Sequence, residues 1–309
     1  YRDITSCHLM TTFFGTPFID IRIDFNSWLP NTLNRKLSEK LVNFYLTKLK
    51  KNKHLHDKIE FEIIYSSYNF NTEKRIKELL NYNFTTDEIK KIIFGLKKVN
   101  ITSINKIEED FDKIQKLNNQ IPKISKSKLH PIDKIYWHIE ECKKYGTLPF
   151  AGLARCAFIA IDILNSMAKE KIIDNKFKTD FLESLNTITN EIKNDNFNLS
   201  KSQFIEKYGH LRPNTYEINS PNYKEGYSIY FQNVKKQNLI KLKKAKLNLH
   251  KNQKNKILKF LKKNQLNLSV NQFFQFIKKS IEYREYAKFI FTKSINEIFI
   301  SINELGNKL

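Results

Sequence analysis

Within the stretch Tyr208 to Tyr223, YGHLRPNTYEINSPNY, four chemically able side chains fall inside eight residues: His210, Arg212, Tyr216 and Glu217. Imidazole offers acid/base chemistry, guanidinium an anion fork, phenol a donor and carboxylate a base or an ammonium partner. Gly209, Pro213, Asn214, Asn219, Ser220 and Pro221 are turn formers, so no regular helix is expected to run through them. The stretch reads either as a solvated connection bonding to its own backbone or as a loop that serves chemistry. Residue choice favours the second reading. The chain has 47 Lys and seven Arg, so Arg212 stands where a plain cation would have been Lys. A guanidinium presents a planar fork that ammonium lacks.

The remaining candidates come from elsewhere in the chain. Asp20 and Arg22 lie in IDIRID, where Ile19, Ile21, Ile23 and Phe25 alternate with Asp20, Arg22 and Asp24. That alternation predicts a strand following a turn at Gly15-Thr16-Pro17, with a charged row that is either a solvated face or the wall of a cleft. Arg284 follows the apolar Phe273, Phe274, Ile277 and Ile281 in a stretch, 270–305, that reads as one long helix or two. Arg155, inside the apolar run Phe150 to Glu170, reads as a clamp or as a cleft residue.

Elements that would position these groups follow from periodicity. A helix is expected over 31–51, a second strand over 58–70, and helices from Thr85 to about Lys98 and from Ser103 to Asn118. Ile121 to Pro131 reads as a loop, Ile132 to Tyr145 as a helix, and Gly146 and Pro149 as breaks before the helix 150–170. Helices over 177–194, 200–207 and 241–263 complete the pattern. The fold class expected is α+β, predominantly α, with a small antiparallel hairpin or sheet near the N-terminus. Residues 1–120 form its α+β part and 121–309 its helical part.

At 309 residues, with 40% hydrophobic and 13% aromatic content, the chain has enough apolar surface for one large core or two smaller ones. Its apolar runs fall short of a membrane span, Tyr1 opens without a signal-peptide pattern, and the missing initiator Met suggests a fragment or processed chain. Cys7, Cys142 and Cys156 have no metal-ligand spacing and read as reduced core residues of a cytoplasmic protein. No metal site is assigned. The net charge of +22 points to a polyanion, but Lys, Asn and Ile are abundant throughout. The distribution is more informative: 14 Lys and no Asp or Glu lie between Gly226 and Ile281. Between Lys235 and Lys263 the only Phe, Tyr or Trp is Phe260, which argues against base stacking, so no nucleic-acid partner is expected; a basic nucleic-acid or anionic-surface binder is the alternative. No membrane partner is expected either.

Four stretches, HLMTTFFGTPFIDIRIDFNSWLP, YGTLPFAGLARCAFIAIDIL, FIEKYGHLRPNTYEINSPNY and EYREYAKFIFTKSINEIF, occur in an order that resembles the central region of phosphoenolpyruvate-synthase-like phosphotransferases. They are most similar to the L-glutamine kinase subgroup of bacterial capsule phosphoramidate biosynthesis. The Lys-rich stretch 235–263 departs from that pattern. The resemblance implies a substrate-binding domain that works with an ATP-grasp domain and a phosphohistidine swivel domain, neither of which has its motifs here. It implies that ATP and Mg²⁺ serve the complete enzyme, that this domain itself carries no cofactor, and that the acceptor is L-glutamine or another small molecule. On that reading Asp20, Arg22, Arg212, Tyr216 and Arg284 bind substrate, while His210 or Glu217 takes the amide proton. The Lys-rich stretch, sampled by Lys243, Lys244, Lys262 and Lys263, is expected to be solvated surface.

Overall fold

The computed structural model describes residues 8–231 and 249–307. Helix accounts for 72% of it, with one two-stranded antiparallel sheet near the N-terminus, so the class is α+β and predominantly α. In chain order the elements are β1 (Met10–Phe13), β2 (Thr16–Ile19), α1 (Ile21–Ser27), α2 (Arg35–Lys51), α3 (Thr72–Arg75), α4 (Thr86–Ser125), α5 (Pro131–Cys142) and α6 (Leu148–Lys169). They continue with α7 (Asn175–Glu183), α8 (Ile188–Asn198), α9 (Lys201–Tyr208), α10 (Tyr227–Phe231), α11 (Lys251–Lys263) and α12 (Val270–Gly306). Single π turns occupy Ile59–Ile63 and Lys143–Thr147. Cys7, Lys243 and Lys244 lie outside the described residues.

Two compact units share the chain discontinuously. The first is built from 1–104, 158–175 and 249–270, the second from 105–157, 176–248 and 271–309. Sequence reading divided the chain once, near residue 120, whereas each unit here takes three separate segments.

In the first unit, Phe25, Leu41, Tyr45, Ile63, Ile64 and Leu79 form a fully buried centre. Phe25 meets Tyr45 edge-on, and the Tyr45 hydroxyl accepts the Tyr65 N–H at 3.2 Å. The hairpin turns at Phe14-Gly15, with φ of 50° and 76°, one residue earlier than expected. A two-residue turn of this kind needs positive φ at both positions, which Gly15 adopts freely and Phe14 only with strain. The strand predicted through Phe25 stops at Ile19, because the Asp20 carboxylate accepts the N–H groups of Arg22 and Ile23 and starts α1.

The strand expected over 58–70 is instead a π turn followed by a buried irregular segment, 64–69. Side chains satisfy its backbone: Arg75 donates to Ile64 O, Asn100 to Tyr68 O, and Ser166 Oγ accepts from Phe70 N. The Asp162 carboxylate, buried in α6, accepts from Ser67 Oγ at 2.6 Å and Asn69 Nδ2 at 2.7 Å. α11 docks through Ile257, Phe260 and Leu261, with Phe260 stacked 4.0 Å from Phe70. Its Lys262 and Lys263 are exposed, and Lys263 pairs with Glu73 at 2.7 Å.

α4 is one helix of 40 residues, where two were expected. Nothing between Lys98 and Ser103 breaks it, and it runs past Pro122 into the stretch read as a loop, since a proline in the last turn removes a single N–H. Gly146 and Pro149 likewise leave the chain helical: the π turn Lys143–Thr147 carries α5 into α6. A Cβ on Gly146 would lie 2.9 Å from Leu117 Cδ2 and 3.1 Å from Phe291 Cβ, so the glycine permits close packing. The combined helical run Pro131–Lys169 is long and apolar enough to cross a membrane, contrary to the sequence expectation, and half of its most apolar window is buried in the protein. Cys142 and Cys156 are both buried, and burial pushes the Cys142 thiol up to about 11. The single helix expected over 177–194 is divided into α7 and α8 by Ser184–Thr187, with Thr187 capping α8.

Candidate functional site

The second unit places its polar groups along one side of α12. Phe273, Phe274, Ile277, Ala287 and Ile290 hold that helix in the core. Glu282 Oε1 accepts Asn186 N at 2.7 Å, and Glu285 Oε2 accepts Thr189 N at 3.4 Å. Glu285 thereby meets an N–H in the first turn of α8, an arrangement the helix dipole favours, while Glu282 holds the residue just before the Thr187 cap.

The loop after α9 is closed upon itself. Tyr223 N donates to Leu211 O at 2.7 Å and Lys224 N to Gly209 O at 3.2 Å. Arg212, buried, donates through Nη1 to the carbonyls of Glu217, Ile218 and Ser220 and through Nη2 to Asn296 Oδ1 at 2.9 Å. Its guanidinium lies 4.9 Å from the Phe299 ring centroid. The fork predicted for a ligand is thus occupied by the loop's own backbone. Asn296 Oδ1 also accepts from Asn222 Nδ2 at 3.1 Å, so one amide oxygen of α12 holds both ends of the loop.

His210 faces Phe289 with ring centroids 4.7 Å apart, and its Nε2 donates to Phe289 O at 3.0 Å. Because a carbonyl only accepts, this bond fixes the proton on Nε2. Burial and then the Lys293 charge push the imidazole down to about 3. His210 is held neutral, with Nδ1 as its acceptor. Tyr216 is 71% exposed, and Glu217 Oε1 accepts Asn219 N at 3.3 Å. Asp20 and Arg22 belong to the first unit, where Asp20 caps α1 and Arg22 Nη1 donates to Asn43 Oδ1 at 3.1 Å.

Beside this loop lies a cavity of about 270 Å³. Phe150, Ile188, Leu211 and Phe289 give it apolar walls; Arg284, Glu285, Lys288, Thr189, Thr215 and Thr292 give it polar ones. Of the residues singled out from sequence, Arg284 lines it. His210 acts on it through Phe289, and Arg212 through the loop that carries Leu211 and Thr215. Tyr216 and Glu217 are not among its lining residues. Sequence reading missed the roles of Thr189, Thr215, Lys288 and Thr292. Arg284, Glu285, Lys288, Phe289 and Thr292 do share one helical face, a signal that spacing alone carries.

Two cations and one carboxylate around hydroxyl groups suit a small molecule bearing both an anionic and an ammonium group. A second depression, about 410 Å³ beside α5, is lined by Tyr136, Trp137, Glu140, Glu141, Lys143 and Lys144 from one continuous helical stretch and lacks such convergence. Among the described residues no group of three or more His, Cys, Asp or Glu side chains is placed to hold a metal ion. Compared with known proteins, the chain matches no family model, no curated protein and no solved structure.

Proposed function

We propose that this chain is the acceptor-binding part of an ATP-dependent phosphotransferase that works through a phosphohistidine, with L-glutamine as the leading acceptor. The observation that carries the reading is the cavity of the second unit, where Arg284, Lys288 and Glu285 stand together over an apolar floor. Its size suits an amino acid better than a nucleotide. Arg284 would fork the α-carboxylate and Glu285 take the ammonium group, while Lys288 would meet incoming phosphoryl oxygens. Phosphoryl transfer depends mainly on such positioning and charge stabilisation. The resemblance of four ordered sequence stretches to phosphoenolpyruvate-synthase-like enzymes supports the same reading. ATP and Mg²⁺ belong to the complete enzyme, so the 309-residue chain alone turns over no ATP.

Calorimetric titration of the chain with L-glutamine tests this. Binding is expected, weakened about tenfold or more, equivalent to about 1.4 kcal/mol, in Arg284→Ala and Lys288→Gln at unchanged melting temperature. Absence of glutamine binding, or full affinity in both variants, would overturn the assignment.

A further inference from the structure

The β1–β2 hairpin has one backbone edge open to a further strand and one edge closed to it. Asp20 N donates to Leu9 O at 2.9 Å, which makes Leu9 and Asp20 a hydrogen-bonded pair. In an antiparallel ladder such pairs alternate with non-bonded ones. The register Met10 to Ile19, Thr11 to Phe18, Thr12 to Pro17 and Phe13 to Thr16 therefore assigns Met10, Ile19, Thr12 and Pro17 to the non-bonded pairs. Their main-chain groups point away from the partner strand. Pro17, which has no N–H to give, sits where none is required, in agreement with that register.

The two outer edges differ. On β2 the outward position Pro17 presents no donor and blocks continuation, a common guard of edge strands. On β1 both Met10 and Thr12 present N–H and C=O outward. No backbone hydrogen bond to either from another element is found among the described residues. β1 carries no proline and no charge, the two usual guards.

Apolar exposure surrounds this edge. All eight strand residues are exposed, and Leu9, Met10, Phe13, Phe14, Phe18 and Ile19 are large apolar side chains. The run Leu9 to Ile19 contains no charged residue in a chain of net charge +22. A lone two-stranded hairpin is marginal in water, and additional strands are what stabilise one. Bilayer insertion fits poorly, because open main-chain groups are costly in hydrocarbon. A second copy fits poorly as well, because two chains of +22 repel.

We propose that the outer edge of β1 accepts an extended strand from a different, net-acidic polypeptide segment, bonded through Met10 and Thr12 with its apolar side chains over Phe13 and Phe18. This is strand addition: main-chain bonds supply affinity and alternate side chains supply selectivity. Attraction to the basic chain brings the partner in, and the uncharged edge lets it seat.

The test uses the 309-residue chain and a short synthetic peptide that alternates valine and threonine between terminal glutamates. Hydrogen exchange at the Met10 and Thr12 amides is expected to slow about tenfold or more with about 1 mM peptide, while Thr11, already bonded within the hairpin, changes little. Thr12→Pro removes an outward N–H without touching a hairpin bond and should abolish the effect. Met10→Pro serves if that hairpin fails to fold, judged by the Met10–Ile19 Hα contact in NMR spectra. A peptide carrying lysines in place of the glutamates should bind more weakly. Unchanged exchange at Met10 and Thr12, or peptide binding that survives both proline variants, would overturn the proposal. So would a self-associated chain in sedimentation that Thr12→Pro returns to monomer, since the occupant would then be a second copy.

Discussion

Arg212 reaches across 84 residues to Asn296, its Nη2 donating to Oδ1 at 2.9 Å while Nη1 gathers three carbonyls of its own loop. The guanidinium holds the wall of the cavity without lining it. A lysine cannot span those acceptors, because one ammonium group lacks the fork. Arg212→Lys should therefore destabilise the protein by about 2–4 kcal/mol and speed hydrogen exchange across 209–223. Calorimetry with exchange mass spectrometry checks it. Unaltered stability with lost ligand binding would return Arg212 to the ligand instead.

His210 makes acid stability pH-dependent. Its imidazole is depressed from the ordinary 6.5 to about 3, so between those values the unfolded chain binds the extra proton. This contribution is present above about pH 6.5 and is lost as pH falls towards 3. His210→Gln, which keeps a donor for Phe289 O, should flatten that part of the stability curve. A ring that titrates near 6.5 in NMR spectra of the native chain would contradict the assignment.

Gly95 in α4 lies against the turn at Pro30. A Cβ there would stand 2.6 Å from Pro30 Cβ and 2.8 Å from Thr32 Oγ1. Alanine gains about 1 kcal/mol in helix propensity but forces an overlap costing about 1–3 kcal/mol. Gly95→Ala should lower stability despite the better helix former, and a higher melting temperature would show that the turn gives way freely.

Asp162 is the acceptor for two buried donors, so Asp162→Ala should cost about 2–4 kcal/mol by leaving Ser67 Oγ and Asn69 Nδ2 unpaired. Asp162→Asn keeps an acceptor oxygen and should cost less. Burial raises the carboxyl above its ordinary range, so the folded chain holds the proton more tightly. That contribution is complete below pH 3.8 and declines as pH rises through the folded value; the asparagine variant should lack the decline in urea titrations. Equal losses in both variants would argue against the hydrogen-bond account.

Helices whose apolar positions repeat every three or four residues were legible in the sequence, including the Ser200 cap of α9 and the helical character of 270–305, though not that α12 is a single helix. Local patterns failed where a tertiary partner decided. IRIDF alternates like a strand, yet the Asp20 cap makes it helix, and the apolar run 58–70 is held irregular by Arg75, Asn100 and Asp162. In the candidate site the sequence offered the loop and Arg284. It did not reveal that Arg212 is spent on carbonyls and Asn296, because a buried fork and a ligand-binding fork have the same residue type.

The interleaving of the two units fixes an order of events during synthesis. Residues 1–104 have their remaining unit-mates in 158–175 and 249–270, so the first unit lacks its last segment, which carries α11, until residue 270 has left the ribosome. At about 5–20 residues per second, that interval lasts on the order of ten seconds. Throughout it, Phe70 has no Phe260 to stack on and the backbone after Ile63 lacks part of its packing. The nascent chain in that window presents an apolar, incompletely bonded surface of the kind that folding helpers hold, and a transcript cut before residue 249 would encode a protein arrested there.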